Sequence, residues 1–336
     1  MGSIKIVLIA FAISFGVIIF ITNEKVRSET FGVLNHKIGK SKYRIYHLFL
    51  ILITVILIFY SIKLLNKSKI IVGFITKNTA KQEEEYEQYK KIAETQNQRY
   101  QEIMKTVEVN LENCKNPYVP DGFFYVEGEW NTGFVIEDEK QNQFVWVPCT
   151  NEANEEKIPI LEKTKFKTNN TNWSNCYEED DYEEFLMSSL ENGGFYISRF
   201  EIGKEEEIPV SKFGTMIWKD VNREEAKEKA EMMYTDIHSK LINGYAMDTA
   251  VKFIFEEMSL RNVLKSSGIS GNTSQKNIYD LADDMNEWTS EMRGNLKIYR
   301  TSIPGNGEFE SILNDRFSND AEFTSDNLGF RTIIYK

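Results

Sequence analysis

The sequence has few residues of the kinds that build metal centres and nucleophilic sites. It contains three cysteines and three histidines among 336 residues. Cys114, Cys149 and Cys176 are an odd number without Cys-x-x-Cys spacing, so neither a zinc site nor a full disulfide framework is indicated. One disulfide with one leftover thiol, or three buried thiols, remain as alternatives. Only His238 lies in the C-terminal part, which excludes histidine-rich catalysis there.

Positive charge is also scarce outside the N-terminal part. The net charge is −11, and residues 1–76 hold ten Lys or Arg against two Glu. Residues 1–76 therefore carry +8 and residues 77–336 carry −19. Nucleic-acid binding depends on Lys and Arg that neutralise phosphates, so no nucleic-acid partner is expected.

Two long apolar tracts dominate residues 1–76. The tracts at about 4–22 and 45–65 are each near the twenty residues that a helix needs to span a bilayer. No small-x-small cleavage site follows the first tract, which disfavours a cleaved signal peptide. Residues 1–76 are thus predicted to be a two-helix transmembrane anchor with the lipid bilayer as its partner.

The loop between the tracts sets the expected topology. Residues 23–46 hold six Lys or Arg against two Glu, and cationic loops stay in the cytoplasm. Lys63, Lys67, Lys69 and Lys77 after the second tract argue weakly the other way. The prediction is a protein of the cell membrane whose C-terminal domain is extracytoplasmic.

Residues 77–112 are predicted to form a helical stalk. The stretch from Ala80 to Asn110 has no Gly or Pro and is rich in Glu, Gln, Lys and Tyr. Apolar and aromatic residues recur there every three or four positions, as in a weak heptad seam. A lone helix and self-association as a coiled coil both remain as alternatives. The seam residues are Tyr86, Tyr89, Ala93, Gln96, Tyr100, Ile103 and Val107.

Residues 113–336 are predicted to form one α+β domain, which we call the head. Pro117 to Gly122 end the stalk helix, and aromatic and β-branched runs at 133–136, 143–148 and 194–202 indicate strands. Residues 150–180 have the composition of a surface insertion. Helices are predicted over 178–191, from a cap at Asp220 or Asn222 to Met233, and over 244–258 after a cap at Asn243.

The order of these segments resembles the sulfatase-modifying-factor family. The resemblance covers about residues 117–336 and is carried by Phe144–Pro148, Gly193–Ile202, Tyr279–Ala282, Glu287–Thr289 and Asn327–Arg331. It implies a formylglycine-generating-enzyme-like domain, a variant of the C-type lectin fold. Fold does not settle function.

The resemblance also implies which chemistry to look for. The enzymes of the family use a cysteine pair near the C-terminus, and related iron enzymes use a histidine triad. Residues 298–323 contain no cysteine, and the head has one histidine. No catalytic residue is therefore predicted, and a non-catalytic member of the family is expected.

A calcium site is the one metal site that the resemblance implies. The family holds calcium in an Asp/Asn-x-x-Gly-Asn-x-x-Glu-Trp loop, and the matching positions here are Asp280, the carbonyls of Asp283 and Met285, and Glu287. Calcium favours six to eight oxygen ligands of this kind. The family's Gly-Asn is Asp283-Asp284 here, so the turn can differ if it needs positive φ. A solvated turn without metal is the alternative.

The loops after this motif are the expected recognition surface, since loops on a rigid scaffold often carry binding residues. The candidate ligand-binding residues are Tyr299, Arg300, Asn306, Asn314 and Arg316. The leading hypothesis is a membrane-anchored binding protein for an extracellular protein or glycan. The alternatives are a peptide-thiol oxidase with Cys149 as nucleophile, and a structural subunit of a surface assembly.

Overall fold

The structure, a computed structural model, describes residues 40–149, 178–179, 181–255, 270–271, 274–281, 285–301 and 315–336. The chain divides into two compact units, Met1–Glu85 and Tyr86–Lys336. The described part of the first unit is helical throughout and belongs to helix α1, Lys40–Thr106. The second unit begins within the predicted stalk and contains the head.

Membrane spans are not supported by the described residues. Residues 4–22 lie outside them, and residues 45–65 lie within helix α1. In the parts of the chain that the structure describes, no helix combines the length and apolar character that crossing a membrane requires. The two predicted spans therefore stay predictions from the sequence.

Four shorter helices follow α1. They are α2, Leu111–Lys115; α3, Tyr182–Glu191; α4, Arg223–Glu231; and α5, Gly244–Phe255. Asn222 caps α4 with a capping box shared with Glu225, and the Asn243 side chain accepts a hydrogen bond from the Ala246 N–H near the start of α5. Side chains that satisfy the first N–H groups fix where these helices begin. The predicted caps at Asn222 and Asn243 are confirmed.

The largest sheet has six antiparallel strands in the order β1-β2-β3-β5-β15-β8. These are β1, Phe123–Glu127; β2, Val135–Asp138; β3, Gln143–Pro148; β5, Gly194–Ser198; β8, His238–Leu241; and β15, Thr332–Tyr335. In β3, Val145 and Val147 pack on one face, and Phe144 and Trp146 pack on the other. Side chains alternate along a strand, so the sheet is buried on both sides at β3.

The second sheet is built on β11, Asn286–Arg293, which pairs with β12, Leu296–Thr301, and with β14, Leu328–Phe330. Strand β13, Asp315–Asn319, lies beyond β12, and the short β4, Glu178–Glu179, also pairs with β11. Two small hairpins complete the head. They are β6, Gly203–Glu205, with β7, Ile208–Val210, and β9, Ser274–Gln275, with β10, Ile278–Tyr279. The α+β class predicted from the sequence is confirmed.

The last turns of α1 belong to the core of the second unit. Tyr100 and Ile103 are buried, and the Tyr100 ring stacks on Tyr245 of α5 at 5.4 Å between centroids. The Gln96 side chain donates to the Glu179 carbonyl. Part of the seam predicted for a stalk therefore contacts the head of the same chain.

Candidate functional site

Four charged side chains form a buried, closed ring between the second sheet and helix α5. Arg300 and Arg316 are cross-strand neighbours on β12 and β13, and each contacts both Glu291 of β11 and Asp248 of α5. We call this set the closed ring. All four ion pairs are 2.7–3.0 Å long, and the four side chains have no exposed area.

The closed ring has two basic and two acidic side chains, and each of them is paired. Burial lowers the pKa of the Arg300 guanidinium, but Asp248 and Glu291 outweigh that effect and raise it. The Thr289 hydroxyl adds a hydrogen bond to Glu291, and Arg300 also approaches the Gly244 carbonyl at the start of α5. Buried charges are tolerated when they are paired and hydrogen-bonded in this way.

This arrangement changes the interpretation of two predicted ligand-binding residues. Arg300 and Arg316 were expected to face a ligand, yet both lie inside the protein. They hold β12 and β13 to α5, so their contribution is to the framework. Asn306 and Asn314 lie outside the described residues.

Tyr299 lies nearest the surface among the three predicted ligand-binding residues that the structure describes. It is half-buried, with its ring stacked between Phe317 and Phe323 at 5.9 and 6.0 Å. Phe323 packs on Trp288, whereas Phe317 on the outer strand β13 is 44% exposed. Tyr299 and Phe317 are cross-strand neighbours on β12 and β13 and form a stacked aromatic pair, which we call the aromatic step.

A second buried cluster occupies the predicted calcium site. Arg331 donates from Nε to Glu287 Oε1 at 2.7 Å and from Nη2 to the Tyr279 carbonyl at 2.6 Å. Asp280 is buried, has φ of 61°, and accepts the Gly271 N–H at 2.6 Å. Glu201 also raises the pKa of Arg331. We call Arg331, Glu287, Asp280 and Glu201 the Arg331 cluster.

The Arg331 cluster has more acid than base. Burial raises the pKa of the Glu287 carboxyl, Arg331 lowers it, and Asp280 raises it further, with a net rise. Glu287 Oε2 is buried and has no hydrogen-bond partner among the described residues. One guanidinium thus stands among three carboxyl groups.

The expected calcium site lies partly outside the described residues, so calcium stays a prediction from the sequence. Glu287 already has a cationic partner, and Asp280 is hydrogen-bonded to backbone. Met285 is buried, and Asp283 lies outside the described residues. Within the described ranges, no three His, Cys, Asp or Glu side chains are grouped to hold a metal ion. Arg331 supplies positive charge to the carboxylate expected to bind calcium.

The two described cysteines are free and buried. The Cys114 thiol donates to the Gly193 carbonyl at 3.0 Å, and the Cys149 N–H donates to the same oxygen at 2.8 Å. Burial raises the pKa of Cys114 to about 11 and that of Cys149 well above its usual range. A thiol becomes a nucleophile as its thiolate, so these positions disfavour the oxidase alternative. Cys176 lies outside the described residues.

A groove that the sequence did not reveal runs along the segment 118–123. Its volume is about 730 Å³, within the range of ligand-binding clefts. The opposite wall is 232–238, and the lining includes Tyr118, Phe123, Met232 and Tyr234. The sequence indicated only a helix end at Pro117 to Gly122, because nothing local shows that the segment after α4 lies opposite.

Comparison with known proteins adds little to this geometry. No protein-family model matches the sequence, and no curated protein matches it. A solved structure described as "Structure of PvdO from Pseudomonas aeruginosa" is similar over 60% of this chain and 98% of that one. The TM-score is 0.36 and the sequence identity is 11%. A similarity at this level gives no basis for assigning a family or an activity.

Proposed function

We propose that this chain is a membrane-anchored, extracytoplasmic binding protein whose head recognises a protein or glycan ligand without catalysis. The anchor and topology rest on the two apolar tracts and the basic loop between them. The head, in this proposal, is a formylglycine-generating-enzyme-like variant of the C-type lectin fold. That part rests on the resemblance of the segments and their order in the sequence.

The closed ring is the observation that carries the binding function. It fixes β12 and β13, which flank residues 302–314, to helix α5 through four buried ion pairs. A framework held from inside allows the adjoining loop to vary in sequence without loss of the fold. The aromatic step of Tyr299 and exposed Phe317, on the strands that flank residues 302–314 in the sequence, offers a stacking surface to an aromatic side chain or a sugar ring.

Ligand binding is tested with the purified full-length chain on a glycan array and a displayed peptide library. Hits that Phe317→Ser weakens, and that the matched exposed-residue change Met216→Ser leaves unchanged, support the proposal. Met216 is 67% exposed and precedes Ile217, which bridges to Gly203 of β6, so it lies on a different element from Tyr299 and Phe317. Ligands whose binding is unchanged by Phe317→Ser, or the absence of any binding ligand, would count against the aromatic step as the binding surface.

Topology and assembly need separate measurements. Protease added to intact cells should remove the head, and a head that survives this treatment faces the cytoplasm. If the chain instead sediments as part of a large assembly and binds no glycan or peptide, the structural-subunit alternative is favoured.

A further inference from the structure

We infer that the outer edge of β1, with the groove beside it, docks an extended peptide that is apolar in its middle and basic at its ends. This surface is distinct from the aromatic step around Phe317. The site combines a sheet edge, an aromatic groove and flanking carboxylates.

The edge of β1 has the features of a strand-addition site. Within the described residues, β1 is the outermost strand of the six-stranded sheet and pairs with β2 alone. An edge strand presents N–H and C=O groups that an extended chain can pair with. Its bulge between Tyr125 and Glu127 limits regular pairing to the first residues of the strand.

The side chains on β1 are unusually apolar for an exposed edge. Phe124, Tyr125 and Val126 are 49%, 54% and 37% exposed. Natural edge strands are commonly protected by Lys or Pro, and residues 123–127 contain neither. Binding of an apolar segment of another chain would therefore remove these exposed side chains from water, which is favourable.

The groove continues the edge and has room for side chains of the incoming peptide. Phe123, the first residue of β1, lines the groove and packs on Phe144 and Tyr234. Tyr118 and Met232 add further apolar lining. A peptide that pairs with β1 can place an apolar side chain in the groove next to Phe123.

Charge selects the kind of peptide. Asp121 precedes β1 and lines the groove, Asp236 lines the opposite wall, and exposed Glu129 follows the strand. Lys336 also lines the groove, with its Nζ 5.8 Å from the Tyr118 ring centroid. Carboxylates at both ends of β1, on a unit rich in acidic residues, complement basic residues at both ends of a peptide.

The test uses fluorescence anisotropy with the full-length chain and three short labelled peptides. The first alternates valine and threonine and carries two lysines at each end. The second has glutamates in place of the lysines, and the third is the first with alternate backbone nitrogens methylated. The lysine peptide should bind at least about tenfold more tightly than the other two, since methylation removes strand pairing and glutamate reverses the charge.

Two protein variants locate the contact. Phe124→Lys should weaken binding of the lysine peptide at least about tenfold, while the matched control Met216→Lys should leave it unchanged. Asp121→Lys combined with Glu129→Lys leaves the apolar edge intact and should remove the preference for lysine over glutamate.

Three results overturn the inference. Equal binding of the lysine and glutamate peptides would show that charge does not select the peptide. Equal effects of Phe124→Lys and Met216→Lys on binding would show that the edge of β1 is not the contact. A concentration-dependent dimer that Phe124→Lys abolishes, without peptide binding, assigns the edge to a second copy of the chain instead. None of these results bears on binding through Phe317.

Discussion

The closed ring and the Arg331 cluster bury the same kinds of side chain but balance them differently. The closed ring pairs two arginines with two carboxylates, and each carboxylate accepts from both arginines. The Arg331 cluster sets one arginine among three carboxyl groups, with Glu287 Oε2 left without a hydrogen bond in the described structure. Among the residues named, the first set has two acidic groups for two basic groups, whereas the second has three acidic groups for one basic group.

Removing Arg331 should have the largest effect. Arg331→Met removes the cationic partner of buried Glu287. Removing one partner of a buried ion pair costs about 3–5 kcal/mol. Urea unfolding should show the full loss near pH 8 and a smaller loss near pH 5, where the raised pKa of Glu287 favours its protonated form. An equal loss of stability at both pH values would mean that protonation of Glu287 does not change its interaction with Arg331.

Removing one arginine of the closed ring should have the next largest effect on stability. Arg316→Met leaves Arg300 with two carboxylates and so reproduces the acid excess of the Arg331 cluster, at a cost of about 3 kcal/mol. The matched change Arg293→Met removes a partly exposed guanidinium that bonds Ser318 and should cost less. A variant that unfolds like the wild type in urea would show that the ring contributes nothing to stability.

These arginines also show which parts of the structure could be predicted from the sequence and which could not. Strand β3 and the caps at Asn222 and Asn243 were predictable because neighbouring residues determine them. The closed ring was not, because Asp248 lies 52 residues from Arg300 and 68 from Arg316. Arginine in a polar C-terminal segment suggested a ligand surface, and only the register of β12 with β13 turns both side chains inward.

Neutralising Glu287 should have a smaller effect with a defined sign. The raised pKa means that the folded chain keeps a proton that the unfolded chain has released. Its contribution to stability is therefore present at low pH and is lost as pH rises from the usual carboxyl range. Glu287→Gln does not titrate and should therefore flatten this decline of stability with pH. If the stability of Glu287→Gln declines with pH as steeply as that of the wild type, another group causes the decline.

Calcium should have the smallest effect. Because Arg331 already pairs with Glu287, melting curves with chelator and with millimolar calcium should coincide. A bound ion at a hundredfold excess over Kd would add about 2.7 kcal/mol, which such melts resolve readily. A calcium-dependent rise that Asp280→Ala removes would contradict this expectation and support the calcium site.

The position of β15 has a consequence for biosynthesis. Thr332–Tyr335 follows every other described strand in the chain, yet it lies inside the six-stranded sheet between β5 and β8. During translation, β5 and β8 lack the partner that joins them until these residues have left the ribosome. A chain that stops before Thr332 would therefore leave the sheet split and become a substrate for quality-control proteases.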